Sequence, residues 1–358
     1  MKHVSKKICL ITPSLQMGGM ERVLSLIANH ADNIGLRVTI ICLISNEVAY
    51  PLNNNINIIS PKNPYKGGIL EKIRMIKYLV KTLRKESPHT VLSFSEVFNP
   101  LSIIGSKLSS CKVFISDRSS PQKKLPIQTR FFQKILYPLS NGLISQTQQA
   151  KDIAKKKKYN SNITVIPNPL RTIDDSLEKK YNNVIISMGR LIPSKNFSEL
   201  IDIFLQADKN RDWELIILGE GPEREILEKK IKLLGEEKRI RLIGAVKNID
   251  YYFSLGSIFA FTSISEGFPN ALSEAVAFPL ASIAYDCSAG PADIIQDGEN
   301  GFLIPLQEKE IYVKKLSKLM QSKDLINKMK KEYLNFREKY SKEKICHQYI
   351  EFIIDTKK

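Results

Sequence analysis

The segment Val184-Ile-Ile-Ser-Met-Gly-Arg-Leu-Ile-Pro-Ser-Lys-Asn196 opens the second half of the chain and decides its architecture. A β-branched run over 184–188 ends at a glycine, passes through a short loop, and gives way to a helical pattern. This is one strand–helix unit of a parallel sheet. Upstream, similar runs lie at 8–12, 37–43, 90–94, 113–116, 142–145 and 163–166. Downstream they recur at 213–218, 240–243, 258–262, 281–284 and 302–304, and beyond about Pro305 the pattern is helical to the end. They are too many for one ordinary doubly wound sheet, and the series restarts after Ile166-Pro-Asn-Pro169, where two prolines stiffen the chain and stop helices.

The expected fold is therefore α/β, with two doubly wound parallel-sheet domains facing a cleft. The first domain spans 1–165, a linker 166–182, and the second domain 183–335. A C-terminal helix covers 336–358, with the first domain as the surface it would pack back on. In such sheets ligands bind beyond the carboxyl ends of strands, so the chemistry belongs in loops after strands.

Composition fits this picture. The 358 residues are 43% apolar and 25% charged, which excludes a disordered tail, a collagen-like chain and a small disulfide scaffold. The 54 Lys and Arg against 37 Asp and Glu give a net charge of +17. That excess favours phosphate-bearing partners, although a Lys-, Ile- and Asn-rich composition also produces it without any function. Five dispersed cysteines with no C-x-x-C pair fit reduced thiols, and neither they nor the four histidines cluster as metal ligands. The apolar run after Lys6 and Lys7 meets Pro13 too early for a signal peptide, and no stretch is long enough to span a bilayer. A cytoplasmic protein is expected.

Three loops carry candidate chemistry. After the first strand, Gly18 and Gly19 precede a helix whose free amides suit an anion, although a tight turn asks for the same pair. In the opening segment, Arg190 and Lys195 suit a diphosphate, or are a solvated basic loop. In Ser265-Glu-Gly-Phe-Pro-Asn-Ala-Leu-Ser-Glu-Ala275, Glu266 stands in a loop and Glu274 about one turn into the next helix. Pro269 and Asn270 suit that helix start, and the amides of Asn270, Ala271 and Leu272 face where phosphate oxygens would lie. Acids there accept from sugar hydroxyls; surface glutamates are the alternative.

These elements, in this order and with the Ile-Pro-Asn-Pro segment, resemble glycosyltransferase family 4. These are retaining enzymes of the GT-B fold, with two Rossmann-like domains, that use nucleotide sugars. The resemblance covers nearly the whole chain and is best in the second half, including Leu218-Gly-Glu-Gly-Pro222 and Asp297-Gly-Glu-Asn-Gly-Phe302. It implies that Arg190 and Lys195 hold the donor diphosphate and that Glu274 takes the ribose hydroxyls. Glu266, with the backbone of Gly267, Phe268, Pro269 and Asn270, would contact the transferred sugar. Val246 would lie against the base, and Gly18 and Gly19 would approach from the other domain. No metal or other cofactor is implied.

The sequence departs from the family at Ser116-Asp-Arg-Ser-Ser-Pro121, where Arg118 stands in place of a frequent histidine. An arginine stays protonated and is no base. Arg118 would bind phosphate or position the sugar, with Asp117 as its partner. Front-face substitution assisted by the leaving phosphate is then the expected mechanism.

Residues 69–85 place Ile69, Ile73, Ile76, Val80 and Leu83 at helical spacing among six cations. Residues 118–138 hold five cations, Phe131, Phe132 and Tyr137, and no acid. Both suit an anionic membrane surface; for the first, an ordinary sheet-packing helix is the alternative. The expected function is transfer of a hexose or N-acetylhexosamine from a UDP-sugar to a polyprenyl-diphosphate-linked saccharide. The tract Asp286-Cys-Ser-Ala-Gly-Pro-Ala-Asp293 resembles members that build bacterial capsule and O-antigen. With such an acceptor, the protein is expected to be cytoplasmic and peripheral on the inner face of the plasma membrane. A non-catalytic GT-B scaffold is the second reading. Nucleic-acid binding rests on charge alone and is not expected.

Overall fold

A computed structural model of the chain describes residues 6–63, 67–178 and 182–354. Residues 1–5 of the expected first domain, 179–181 of the expected linker and 355–358 of the expected last helix lie outside them. The chain forms two compact units, one of residues up to Pro169 together with those from Tyr340 onward, the other of Leu170–Lys339.

The first unit is built on a parallel sheet of seven strands: β1 (Lys7–Thr12), β2 (Arg37–Cys42), β3 (Asn57–Ile59), β4 (Thr90–Phe94), β5 (Lys112–Ser116), β6 (Gly142–Ser145) and β7 (Ile163–Val165). Their spatial order is β3-β2-β1-β4-β5-β6-β7. The second has six: β8 (Val184–Met188), β9 (Glu214–Leu218), β10 (Ile240–Gly244), β11 (Ile258–Phe261), β12 (Ala281–Asp286) and β13 (Gly301–Pro305), in the order β10-β9-β8-β11-β12-β13. Every paired strand is parallel, so β-branched runs such as Val184–Met188 are buried by helices on both faces. The short β3 has no counterpart among the strands expected from sequence. Its three residues, an exposed Asn57 and the half-buried Ile58 and Ile59, follow an Asn-rich turn at the sheet edge, too few for any periodicity to register.

In each sheet the order reverses once, between β1 and β4 and between β8 and β11. Those reversals open the crevices in which ligands of doubly wound sheets lie. The loops after β1, β8 and β11 hold three of the expected site segments.

The C-terminal helix belongs to the first unit. Over Lys342–Ile354 it buries Ile345, Cys346, Tyr349, Ile350 and Ile353 against Leu24, Ile27 and Ile8, each side chain contributing about 1.5–3 kcal/mol of burial. Phe352 meets the Phe114 ring edge-on at 5.4 Å. A Cβ at Gly142 would lie 2.8 Å from the Phe352 ring, so that contact requires glycine. The helix begins later than position 336, because Tyr333–Lys339 forms a separate helix in the second unit.

The stretch expected as a linker is divided between the units and anchored in both. Ile166 is buried, and its amide donates to the Ser145 carbonyl. Asn168 is buried, and Arg171 is tied into the second unit as described below. In that unit the buried Tyr312 hydroxyl accepts from the Phe261 amide (3.1 Å) and donates to the Ile283 carbonyl (2.9 Å), stitching β11 to β12. The five cysteines are free thiols, four of them buried. No helix among the described residues is long and apolar enough to cross a membrane.

Candidate active site

In the second unit the loops after β8 and β11 are knitted together. The Ile264 amide donates to the Ser194 carbonyl (2.9 Å), and the Thr262 hydroxyl to the Lys195 carbonyl (3.1 Å). Lys195 ends a short turn, Pro193–Lys195, and Asn196 follows at φ +57, a left-handed position that asparagine tolerates. This aims the Lys195 ammonium at Glu266, 2.5 Å from Oε1 and 5.5 Å from the Phe261 ring centroid. Both side chains are largely buried. One of three ammonium donors is used on Glu266, which leaves donors for a ligand. Arg190 is exposed, and no hydrogen bond or ion pair of its side chain is found among the described residues.

The β9 loop closes on the same place. Gly219 has φ +143, and a Cβ there would lie 1.8 Å from the Gly189 carbonyl oxygen, so only glycine lets the two loops touch. Val246 is half-buried just after β10.

Glu266 and Glu274 have different surroundings. Glu266 precedes Gly267, Phe268 and Pro269, and the helix Asn270–Ala277 begins immediately after. Phe268 and Leu272 are buried, so those positions offer a ligand their backbone alone. The first-turn amides of Asn270, Ala271 and Leu272 precede the intrahelical ladder. The Asn270 amide donates to the Phe268 carbonyl (3.0 Å). Pro269 packs against Gly290, whose φ of +102 and missing Cβ bring the 286–293 tract up to this loop.

Glu274, by contrast, is 2% exposed and paired within the protein: Arg171 Nε donates to its Oε2 at 2.9 Å. The other guanidinium nitrogens fork onto Asp250, at 2.8 and 2.5 Å, and Asp250 also accepts from the Asp174 amide. The two carboxylates raise the Arg171 pKa against the opposing effect of burial. Sequence reading missed Arg171 and Asp250. The available signal was that a glutamate on the inner face of a helix needs a cation, since an unpaired buried charge is costly.

In the first unit, Gly18 and Gly19 stand where expected, after β1 and at the start of the helix Gly19–Asn33. Gly18 is extended, at φ −174. The start of this helix carries an acid of its own, Glu21. The Glu21 carboxylate folds back over it, so that a Cβ on Gly18 would lie 2.2 Å from Glu21 Oε2. Burial raises the Glu21 pKa.

Arg118 follows β5, and its side chain is held by contacts within the first unit. Its guanidinium donates to the Asn168 carboxamide oxygen (2.7 Å) and the Tyr349 hydroxyl (2.9 Å), and lies 5.2 Å from the Phe94 centroid. Among the described residues no carboxylate makes an ion pair with it, and its Nε is buried without a hydrogen bond. Glu96 fixes the loop by accepting from the Arg118 and Ser119 amides, at 2.6 and 2.5 Å. Asp117 is not the partner of Arg118. Its Oδ1 accepts from the Tyr137 hydroxyl (2.7 Å) and the Asn99 side-chain Nδ2 (3.1 Å). Burial first, and the Glu96 charge second, push the Asp117 pKa up to about 7. Glu96, Asn168 and Tyr349 were invisible to sequence reading because chain distance separates them from Arg118.

No group of three or more His, Cys, Asp or Glu suited to a metal ion is found among the described residues.

Comparison with known proteins gives the family. The family model described as glycosyl transferases group 1 matches residues 171–335, and that of glycosyltransferase family 4 matches 17–172. The chain is 30% identical over 336 residues to the amylovoran biosynthesis glycosyltransferase AmsD of Erwinia amylovora, covering 89% of this chain and 91% of the relative. It is 26% identical over 367 residues to a Campylobacter jejuni alpha-1,4-N-acetyl-D-galactosaminyltransferase named for a diNAcBac-PP-undecaprenol-linked acceptor, covering 98% and 99%. Among solved structures it resembles Anabaena HepE in complex with UDP, with a TM-score of 0.81 at 16% identity over 97% of this chain and 98% of that one. The lipopolysaccharide outer core galactosyltransferase WaaB gives 0.77 at 19% identity over 98% and 99%. Two doubly wound sheets, loops gathered at their reversal points and these matches make the chain a member of the group 1, family 4 glycosyltransferases, a GT-B enzyme of the hexosyltransferase class.

Proposed function

We propose that the enzyme moves a hexose or N-acetylhexosamine, with retention, from a UDP-sugar to a polyprenyl-diphosphate-linked oligosaccharide in the synthesis of bacterial surface polysaccharide. The observation that carries this reading is the buried Lys195–Glu266 pair at the β8–β11 reversal, beside the first-turn amides of the helix Asn270–Ala277. Relatives named for undecaprenyl-linked acceptors, and structural neighbours solved with UDP, support the substrate classes.

In this reading Lys195 and Arg190 hold the donor diphosphate and stabilise charge on the departing UDP, the electrostatic task that a preorganised cation performs best. Glu266 and the backbone from Gly267 to Asn270 orient the sugar. Arg171 holds Glu274 in place beside the ribose, and Val246 borders the base. The acceptor oxygen bonds to the anomeric carbon as the bond from that carbon to the phosphate oxygen breaks. The acceptor proton passes to the leaving phosphate on the same face. Arg118 and Asp117 lie on the acceptor side in this reading, and Arg118, which stays protonated, is no base. The basic segments 69–85 and 118–138 bring the enzyme to the inner face of the plasma membrane.

The test is nucleotide release from UDP-, GDP- and ADP-sugars in detergent and EDTA, with a polyprenyl-diphosphate-linked saccharide as acceptor and an NMR reading of the new linkage. Release from a UDP-sugar with an α-linked product from an α-linked donor is expected. Donor binding without release for any acceptor would support a scaffold instead.

A further inference from the structure

The helix Ile127–Leu136 is built inside out. Its one buried residue is a glutamine, Gln133, while Ile127, Phe131, Phe132 and Ile135 are 40–76% exposed. Gln133 is held inward by polar bonds, donating to the Tyr137 hydroxyl (3.1 Å) and accepting from that of Tyr159 (3.2 Å). The outward face is thereby fixed as the apolar one. The neighbouring helix Ile69–Glu86 extends the same surface. Lys72 Nζ lies 5.7 Å from the Phe132 centroid, and Ile69, Leu70 and Ile73 in its first turns are exposed. Farther along, that helix buries Met75, Leu79 and Leu83 in the ordinary way.

The charge around this patch has one sign. Residues 118–138 contain Lys123, Lys124, Arg130 and Lys134 and no acid. On the neighbouring helix Glu71 is neutralised by Arg74, and Glu86, at the far end, by Lys7. Monomeric proteins seldom expose so many large apolar side chains together. Protein interfaces are depleted of lysine, whereas an aromatic and aliphatic face rimmed by lysine matches the boundary between anionic headgroups and acyl chains.

We propose that this two-helix face inserts into an anionic bilayer, with Ile127, Phe131, Phe132 and Ile135 among the upper acyl carbons and the lysines at the phosphates. Such helices sink about 5–10 Å into the headgroup–acyl boundary. Attachment is then by insertion, beyond the electrostatic attraction that the basic segments alone would give. The inner face of the same helix leads to Asp117 through hydrogen bonds from Gln133 to the Tyr137 hydroxyl (3.1 Å) and from that hydroxyl to Asp117 (2.7 Å). Seating the helix places the 117–121 loop at headgroup depth, where a lipid-linked diphosphate saccharide is presented. That last consequence rests on the proposed acceptor; the insertion itself does not.

The test uses the full chain and vesicles of phosphatidylcholine with and without phosphatidylglycerol, in the absence of donor and acceptor. Phe131→Trp supplies a reporter, since the one native tryptophan, Trp213, is buried in the other unit. Expected are cosedimentation with anionic vesicles that persists at high salt, and a blue shift of the Phe131→Trp emission with quenching by brominated acyl chains. Phe131→Ser combined with Phe132→Ser should lower partitioning at least about tenfold while the protein stays folded, because both side chains are exposed in the free protein. Binding that disappears at high salt without quenching would overturn insertion, as would absence of binding. A salt-resistant dimer without vesicles that the double substitution dissolves would also overturn it, in favour of a second copy as the occupant. Turnover in detergent needs no vesicles, so failure here and failure of the proposed activity are read separately.

Discussion

The two units hold their charges in different ways. In the second unit both acids of the candidate site are matched by cations, Glu266 by Lys195 and Glu274 by Arg171. In the first unit Arg118 is held by an amide, a phenol and an aromatic face, and Asp117 by a phenol and an amide. Neutral partners fix a side chain's position without cancelling its charge. Ion pairs fix position and cancel the field together. The second unit therefore holds its candidate-site geometry in charge pairs, whereas the first keeps Arg118 without an ion pair beside an acid whose pKa is raised to about 7.

The largest effect expected from this contrast follows from Arg171→Leu. It removes the arginine that Glu274 and Asp250 share in largely buried positions and should destabilise the second unit by about 3–5 kcal/mol, read by chemical denaturation. A loss below about 1 kcal/mol would mean that water already screens the network. Next come Glu266→Ala and Lys195→Ala. Each should lower kcat by about 10²–10³-fold, with circular dichroism unchanged. Turnover like that of the native enzyme in either variant would remove this pair from the site.

Asp117→Asn probes the first unit. Its carboxyl is raised from 3.8 to about 7, so between these values the folded state binds more protons than the unfolded chain. Stability is then lost as pH rises through that window, by on the order of 4 kcal/mol, and the asparagine variant should lack this slope. Denaturation of both proteins at pH 5 and pH 8 measures the difference; parallel slopes would show that Asp117 ionises freely. The smallest effect is expected from Glu21→Gln, which removes an anion from the start of the Gly19–Asn33 helix. It should cost at most about 1 kcal/mol, read as a small shift in the denaturation midpoint.

The same contrast explains what could be read from sequence. Buried parallel strands are nearly continuous β-branched runs, so Val184–Met188 or Thr90–Phe94 could be recognised locally, and β3 could not. Lys195 and Glu266 each lie in a single strand-to-helix loop with its own glycine and proline signals. The partners that define the environments of Arg118 and Glu274 come from 231 and 103 residues away, at Tyr349 and Arg171. No periodicity within a segment encodes such contacts. The helix Ile69–Glu86 shows the same limit. Its apolar positions read as one face, yet Ile69 and Ile73 are exposed and Leu83 is buried. Only the tertiary neighbours decide where a stripe meets a core and where it runs past its edge.

The most direct test of this division is calorimetric titration of UDP into the native protein, Lys195→Ala and Arg118→Ala. If donor recognition resides in the paired charges of the second unit, Lys195→Ala should weaken UDP binding by at least about tenfold, a loss of about 1.4 kcal/mol, while Arg118→Ala leaves it within about twofold. The reverse order, with Arg118→Ala abolishing UDP binding and Lys195→Ala leaving it intact, would contradict the assignment of the donor to the Lys195–Glu266 site.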